Sequence, residues 1–311
     1  RNHNPRVGGS SPSSATKKVR NMILENIELT NFLFKNFHLH NYIVENDIAS
    51  LVGVDLKEYG DPTRKVILDP SHSVNPENTE PFAPELDDLG RLHWLITSRH
   101  ITTVLEFGLG KSTVIFNDAL KKNRLVDEDY ISKNLRRNNL HECHSVDNYQ
   151  EWIEEIKNNY SLDHVSYHKS NLIMGTFNGK ACTYYDPLPN VSPDFIYLDG
   201  PDQFSPTGDI RGISTDHKDR MPMAADILVF EHFLTPGTLI VTDGRTANAR
   251  FLKANLQRDW CYCHDIDSDQ HYFELLEAPL GVYNQRQLEF CLGDTYFKRL
   301  QQAKTERRKT R

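Results

Sequence analysis

Apolar and polar positions along this chain follow two periods. Leu86, Leu89, Leu92, His93 and Ile96 recur at helical spacing and predict a helix ending near Ser98. From there, short apolar runs of β type alternate with amphipathic stretches. The pattern predicts strands over 102–107, 142–147, 164–169, 194–200 and 237–244. Helices are predicted over 112–122, 148–159, 222–234 and 246–257. Segments 260–266 and 270–277 close the series as a hairpin around Asp267-Ser268-Asp269. Cys261 and Cys263 share one face of its first strand and read as core. Trp94, Trp152 and Trp260 read as packing anchors, and the scattered histidines show no metal-ligand spacing. Upstream, residues 22–45 are apolar-rich and read as one helix. Residues 46–84 carry Gly60, Pro62, Pro70, Pro76 and Pro81, and read as loop.

Strand-helix alternation specifies an α/β fold, a doubly wound, mostly parallel sheet with helices on both faces. The organisation that follows is a leader over 1–21, a helical and loop extension over 22–84, an α/β domain over 85–293 and a basic tail over 294–311. The leader is Ser/Gly/Pro-rich and reads as disordered or spurious. Its "RVGGSSPSSAT" resembles a translation through the end of a tRNA gene, which would make Met22 the start. The tail reads as a solvated helix end.

Composition narrows the function classes. The net charge of −7 gives no global pull toward nucleic acid or an acidic membrane. No apolar run approaches the ~20 residues of a membrane span. The five cysteines lack CxxC spacing and fit reduced thiols in a cytoplasm.

Open α/β sheets bind ligands beyond the carboxyl ends of their strands. The polar residues there are Glu106, Asp147, Ser170 or Asn171, Asp199 and Asp243. The first belongs to Val104-Leu105-Glu106-Phe107-Gly108-Leu109-Gly110-Lys111-Ser112-Thr113. Its Gly-Lys-Ser ending is that of a phosphate loop, but the required first glycine would fall on Leu105, and the Glu106 charge would repel a phosphate. A dinucleotide fingerprint fails at Thr113, where a third glycine belongs.

Strand, acid, Gly-x-Gly and a helix opening on Ser-Thr resemble the first motif of class I S-adenosylmethionine-dependent methyltransferases. "SVDNYQEW" (145–152) resembles a second motif of the form SVExxxxW in part of that family. "PDFIYLDGP" (193–201) and "GTLIVTDGR" (237–245) resemble its fourth motif and fifth strand. The resemblance covers roughly residues 85–277 and implies a seven-stranded Rossmann-like sheet ending in an antiparallel hairpin. It implies adenosylmethionine as cofactor, held by Glu106, Gly108, Gly110, Ser112, Thr113, Asp147 and Asn171. Asp147 would accept the ribose hydroxyls, and Asp199 would face the reaction as catalytic base, with Asp202, His217 and Asp243 as neighbouring candidates.

The expected substrate is a small molecule or saccharide, with no nucleic-acid partner. No metal is expected, because Asp243-Gly244-Arg245 replaces the Asp-Asn pair of the metal-dependent members. Arg245 is read either as a helix-entry ion pair or as a clamp on an anionic acceptor. Two features depart from the family pattern. Glu106 and Asp147 stand 41 positions apart, about twice a tight β-α-β spacing, which makes 123–141 read as an insertion. Residues 201–221 form a long loop, read as an acceptor-binding segment or lid. The alternatives are a non-catalytic methyltransferase-like binding module and a nucleotide- or nicotinamide-dependent enzyme.

Overall fold

The structure, a computed structural model, describes residues 23–25, 28–65 and 83–309. The leader over 1–21 lies outside the described residues. The elements in chain order begin with β1 (Leu24–Glu25), α1 (Leu29–Leu33), α2 (Leu39–Glu45), α3 (Ile48–Leu51), α4 (Leu56–Tyr59) and α5 (Leu86–Ser98). Next come β2 (Thr103–Phe107), α6 (Lys111–Asn134), β3 (Glu142–Asp147), α7 (Gln150–Asn159) and β4 (Val165–Lys169). Then follow β5 (Asn171–Phe177), β6 (Lys180–Asp186), β7 (Phe195–Leu198), α8 (Asp226–Phe230) and β8 (Leu239–Asp243). The series closes with α9 (Thr246–Asn255), β9 (Trp260–Asp265), β10 (Gln270–Leu275) and α10 (Val282–Lys309).

Eight strands form one sheet in the order β1-β9-β10-β8-β7-β2-β3-β4. The run β4-β3-β2-β7-β8 is parallel throughout and has the doubly wound 3-2-1-4-5 order. β10 then enters antiparallel to both β8 and β9. The expected seven strands are present, and β1 adds an eighth by pairing parallel to β9. The chain reverses direction across the sheet between β2 and β7, which makes their tips the switch point.

The strands are apolar on both faces because both are covered. Val104, Cys143, Leu239 and Tyr272 pack under α5, α6 and α10. Leu105, Phe107, Ile196, Ile240 and Phe273 pack under α8, α9 and the β5–β6 hairpin. Cys261 and Cys263 are core, as their spacing predicts. Among the described residues no helix is long and apolar enough to cross a membrane.

Four local readings change. Residues 22–45 are not one helix: Asn36 takes a left-handed φ of 61° and separates α1 from α2. Residues 46–65 hold α3 and α4 rather than pure loop. Most of the expected insertion is the second half of α6, whose buried stripe is polar at Asn123 and Asp127 before it returns to apolar Ile131. There Asn123 donates to the Ile96 and Ile101 carbonyls, and Asp127 pairs with His100 at 2.8 Å. The basic tail is also no mere solvated end, because Tyr296, Leu300 and Ala303 of α10 reach the core.

Candidate active site

The site is built on the switch point. The Phe107 carbonyl accepts from the Asp199 amide at 2.9 Å and the Gly200 amide at 2.5 Å, and the Gly108 amide donates to the Val146 carbonyl at 3.0 Å. Three strand tips are thereby tied to one loop. Gly108 has φ +92°, and a Cβ there would sit 2.4 Å from the Gly200 amide nitrogen. Its freedom is consumed by the neighbouring strand's backbone. Gly110 differs: it is extended at φ −171°, and a Cβ on it would meet nothing within 4 Å. Open space therefore adjoins the loop at Gly110.

Glu106 is fully buried at the end of β2. It accepts from Ser112 Oγ at 2.5 Å, Thr113 Oγ1 at 2.7 Å and Ser145 Oγ at 2.6 Å. Burial pushes its carboxyl up to about 7, with the three hydroxyls pulling the other way. The three bonds staple the first turn of α6 to β2 and β3. Ser145 opens the second resembling motif but was not named among the site residues. It is the register partner of Glu106, a polar residue in a buried strand.

Asp147 ends β3 and is turned inward. Its Oδ2 accepts from the Leu109 amide at 2.9 Å and its Oδ1 from the Tyr149 amide at 2.7 Å. Burial raises its pKa, against those amide bonds. Lys111 does not face the loop, since its ammonium reaches Tyr160 Oη at 2.6 Å. The Gly-Lys-Ser-Thr run is thus engaged within the protein at every side chain. Asn171 is exposed at the start of β5, opposite Asp186, and no hydrogen bond among the described residues joins its side chain to this group.

Asp199 is half-exposed and lies 3.5 Å from Arg245 Nε, while Arg245 Nη1 donates to the Pro201 carbonyl at 2.6 Å. Arg245 therefore makes the helix-entry ion pair and also pins the chain leaving β7. Asp202 accepts from Tyr149 Oη at 2.9 Å, and His217 is exposed. Asp243 lies beside Glu85 and Asp88 of the α5 entry, with one carboxylate oxygen of each within 4.8 Å of the others. Burial, with Asp87 next, pushes Asp88 up to about 8. Burial, then the charges of Asp88 and Asp199, raises Asp243 well above the carboxylate range. Such a group holds protons or attracts a cation. Glu85 and Asp88 were not singled out in the sequence, where acids in a first helical turn read as ordinary dipole partners.

The long loop is anchored. The Met174 amide donates to the Thr207 carbonyl at 2.9 Å, and the Thr207 amide donates to the Leu172 carbonyl. Thr183 and Ala224 bridge β6 to the loop's far end, and Asn248 of α9 grips the Ala224 amide at 2.8 Å. The β5–β6 hairpin is absent from the sequence reading and supplies these anchors. Asn178-Gly179, both left-handed, form its two-residue turn.

No protein-family model matches the chain, and no curated protein matches it. Among solved structures it is similar to the SAH-bound methyltransferase PaMTH1 of Podospora anserina. That match has 12% identity and a TM-score of 0.35 over 62% of this chain and 80% of that one. It is also similar to the O-methyltransferase TomG from Streptomyces achromogenes, involved in tomaymycin synthesis and solved in complex with SAM. There the identity is 12% and the TM-score 0.34, over 74% of this chain and 87% of that one.

Proposed function

We propose that this chain is an S-adenosylmethionine-dependent methyltransferase acting on a small-molecule or saccharide acceptor. The observation that carries the reading is a carboxylate-lined edge beside an open glycine loop at the switch point of a doubly wound sheet. Asp147, Asp199, Asp243, Glu85 and Asp88 favour a cationic ligand over a di- or triphosphate. Bound there, adenosylmethionine supplies a sulfonium methyl group to an oxygen or nitrogen nucleophile.

The chain's own residues divide the remaining work. Glu106 holds the loop through Ser112, Thr113 and Ser145 instead of touching the ligand itself. Gly110 leaves room for the ligand's approach. Asp147 fixes the Leu109 amide and turns its remaining lone pairs to the ribose side. Asp199, the exposed acid nearest the switch point, takes the acceptor's proton, and Arg245 holds it in place. In-line alignment of acceptor and methyl group supplies several kcal/mol of the rate.

One observation favours a second reading, a binding module without turnover. Glu106, Ser112, Thr113 and Asp147 are all buried and engaged within the protein. Thermal unfolding of the full chain with adenosylhomocysteine, ATP and NAD tests the ligand class. Adenosylhomocysteine near 100 times Kd is expected to raise Tm by roughly 2–4 °C, with no shift from the phosphate ligands. A shift with ATP or NAD alone overturns the proposal. Ligand binding without methyl transfer to any of a panel of hydroxyl and amine acceptors selects the module.

A further inference from the structure

A second group of ligating side chains lies outside the candidate active site, on the β9–β10 hairpin. We propose that His264, Asp269 and His271 form a binding site for a borderline divalent transition-metal ion, with zinc as the representative.

The fold builds this group from cross-strand register. His264 on β9 and His271 on β10 are direct partners in the antiparallel ladder, so their side chains share one face. Their ring centroids lie 3.9 Å apart. Asp269 closes the turn between the strands with a left-handed φ of 52°. Its carbonyl accepts from the Gly244 amide at 2.9 Å, which ties the turn to the end of β8. One ligating atom from each of the three residues lies within 4.8 Å of the other two. His264 Nε2 and Asp269 Oδ1 are 3.4 Å apart. A tetrahedral zinc ion with bonds near 2.0–2.1 Å spaces its ligand atoms by about 3.4 Å.

The outer contacts fit a ligating imidazole. His271 is fully buried, and its Nδ1 meets Tyr262 Oη at 2.9 Å while its Nε2 meets Thr246 Oγ1 at 3.2 Å. A hydrogen bond at one ring nitrogen sets the tautomer that leaves the other free for metal. Here Tyr262 orients the ring, and the metal takes the place of the Thr246 contact. The two rings stack at 17°, so one must turn for both to point at a common ion. His264, at the solvent edge, has that freedom.

The charges nearby select the kind of ion. Arg250 and Lys253 of α9 lie near enough for their charges to act on His271. Lys253 is offset by its ion pair with Glu25. With one carboxylate and two cations in range, attraction by net charge is small. Hard ions such as magnesium and calcium, which depend on several oxygen ligands, are disfavoured. Two neutral imidazoles plus one carboxylate suit zinc, with water completing the shell.

The test is zinc binding to the metal-stripped full chain, followed by competition with a chromogenic chelator. Cobalt, as a spectroscopic stand-in, reports four-coordination by an intense visible band. One tight site is expected, unmoved by excess magnesium. His264→Ala and Asp269→Asn are expected to weaken it by about tenfold or more each and to remove the cobalt band. Both positions are partly or largely exposed, so these variants fold even where a change at buried His271 would not. His38→Ala serves as the control for stray imidazole binding. Wild-type zinc affinity in both hairpin variants, or competition by magnesium at equal concentration, overturns the proposal.

Discussion

Gly108 and Gly110 stand two positions apart and answer to different neighbours. Gly108→Ala places a methyl group against the Gly200 backbone at a left-handed φ. It is expected to cost roughly 2–4 kcal/mol of stability, with or without ligand. Gly110→Ala meets open space and is expected to change stability by less than about 1 kcal/mol. Its effect belongs to ligand binding, as a smaller adenosylhomocysteine shift in the same melt. Equal stability losses in the two variants would remove the argument that Gly110 faces the ligand. Asp226 offers a second test at this scale. It is buried, its Oδ1 takes the Tyr185 amide at 2.9 Å, its Oδ2 has no partner, and burial pushes its pKa up to about 7. A carboxyl raised on folding stabilises while protonated in both states, and that stability is lost as pH rises from its unfolded value through about 7. Asp226→Asn should therefore match wild type near pH 4 and exceed it by on the order of 2 kcal/mol at pH 8. Urea midpoints at the two pH values measure this. A gain that does not grow with pH would remove the ionised Asp226 from the account.

At the scale of elements, α10 is held by a buried charge group. Glu274 of β10 pairs with Arg99 at 3.0 Å and with Arg299 of α10. Burial alone would raise its pKa, but the Arg299 and Arg99 guanidiniums outweigh it and hold the carboxyl low. Glu274→Ala leaves two guanidiniums buried and should destabilise by about 3–5 kcal/mol. Lys298→Ala, on the exposed side of α10, should leave the urea midpoint unchanged. The basic run near the C-terminus concealed this role, since Arg299 and Arg307 face inward while Lys298 and Arg308 face out. The main-sheet strands β2, β3, β4, β7, β8, β9 and β10 were legible because a sheet buried on both faces is written as short apolar runs. The latter half of α6 was hidden by its polar buried stripe, where Asn123 and Asp127 stand at positions a periodicity count expects to be apolar. The site was legible as a set of strand tips. It was not legible as contacts, because nothing in the spacing announces the bonds from Ser112, Thr113 and Ser145 to Glu106 or from the Leu109 amide to Asp147. The β5–β6 hairpin left one local signal, the Asn178-Gly179 turn pair, which the sequence reading did not use because the flanking stretches lack strict alternation.

For the whole molecule, Asp88, Glu106 and Asp226 set the pH profile together. Their pKa values rise to about 8, 7 and 7. The stability they contribute is present below the ordinary carboxyl range and lost as pH rises through about 7 to 8. Glu274 and Glu277 are lowered, burial being outweighed by their arginines, so their contribution is present above that range and lost in acid. Maximum Tm is therefore expected near the ordinary carboxyl range, at about pH 4 to 5. As Asp88 and Asp243 ionise, a sulfonium cation gains over its neutral thioether. The affinity of adenosylmethionine relative to adenosylhomocysteine should rise between about pH 6 and about pH 9. Calorimetric titrations across that range decide it, and a flat ratio would separate the acidic cluster from the cofactor. The small sheet formed by β5, β6 and the loop segment at Thr207 also bears on redesign. Its hydrogen bonds run chiefly within residues 171–225, and Asn248 clamps its far end. A loop exchanged alone would lose its ladder partners. Moved as one cassette with Asn248 kept in place, the unit carries its own scaffold, which makes it the natural unit of recombination for varying the surface beside the switch point.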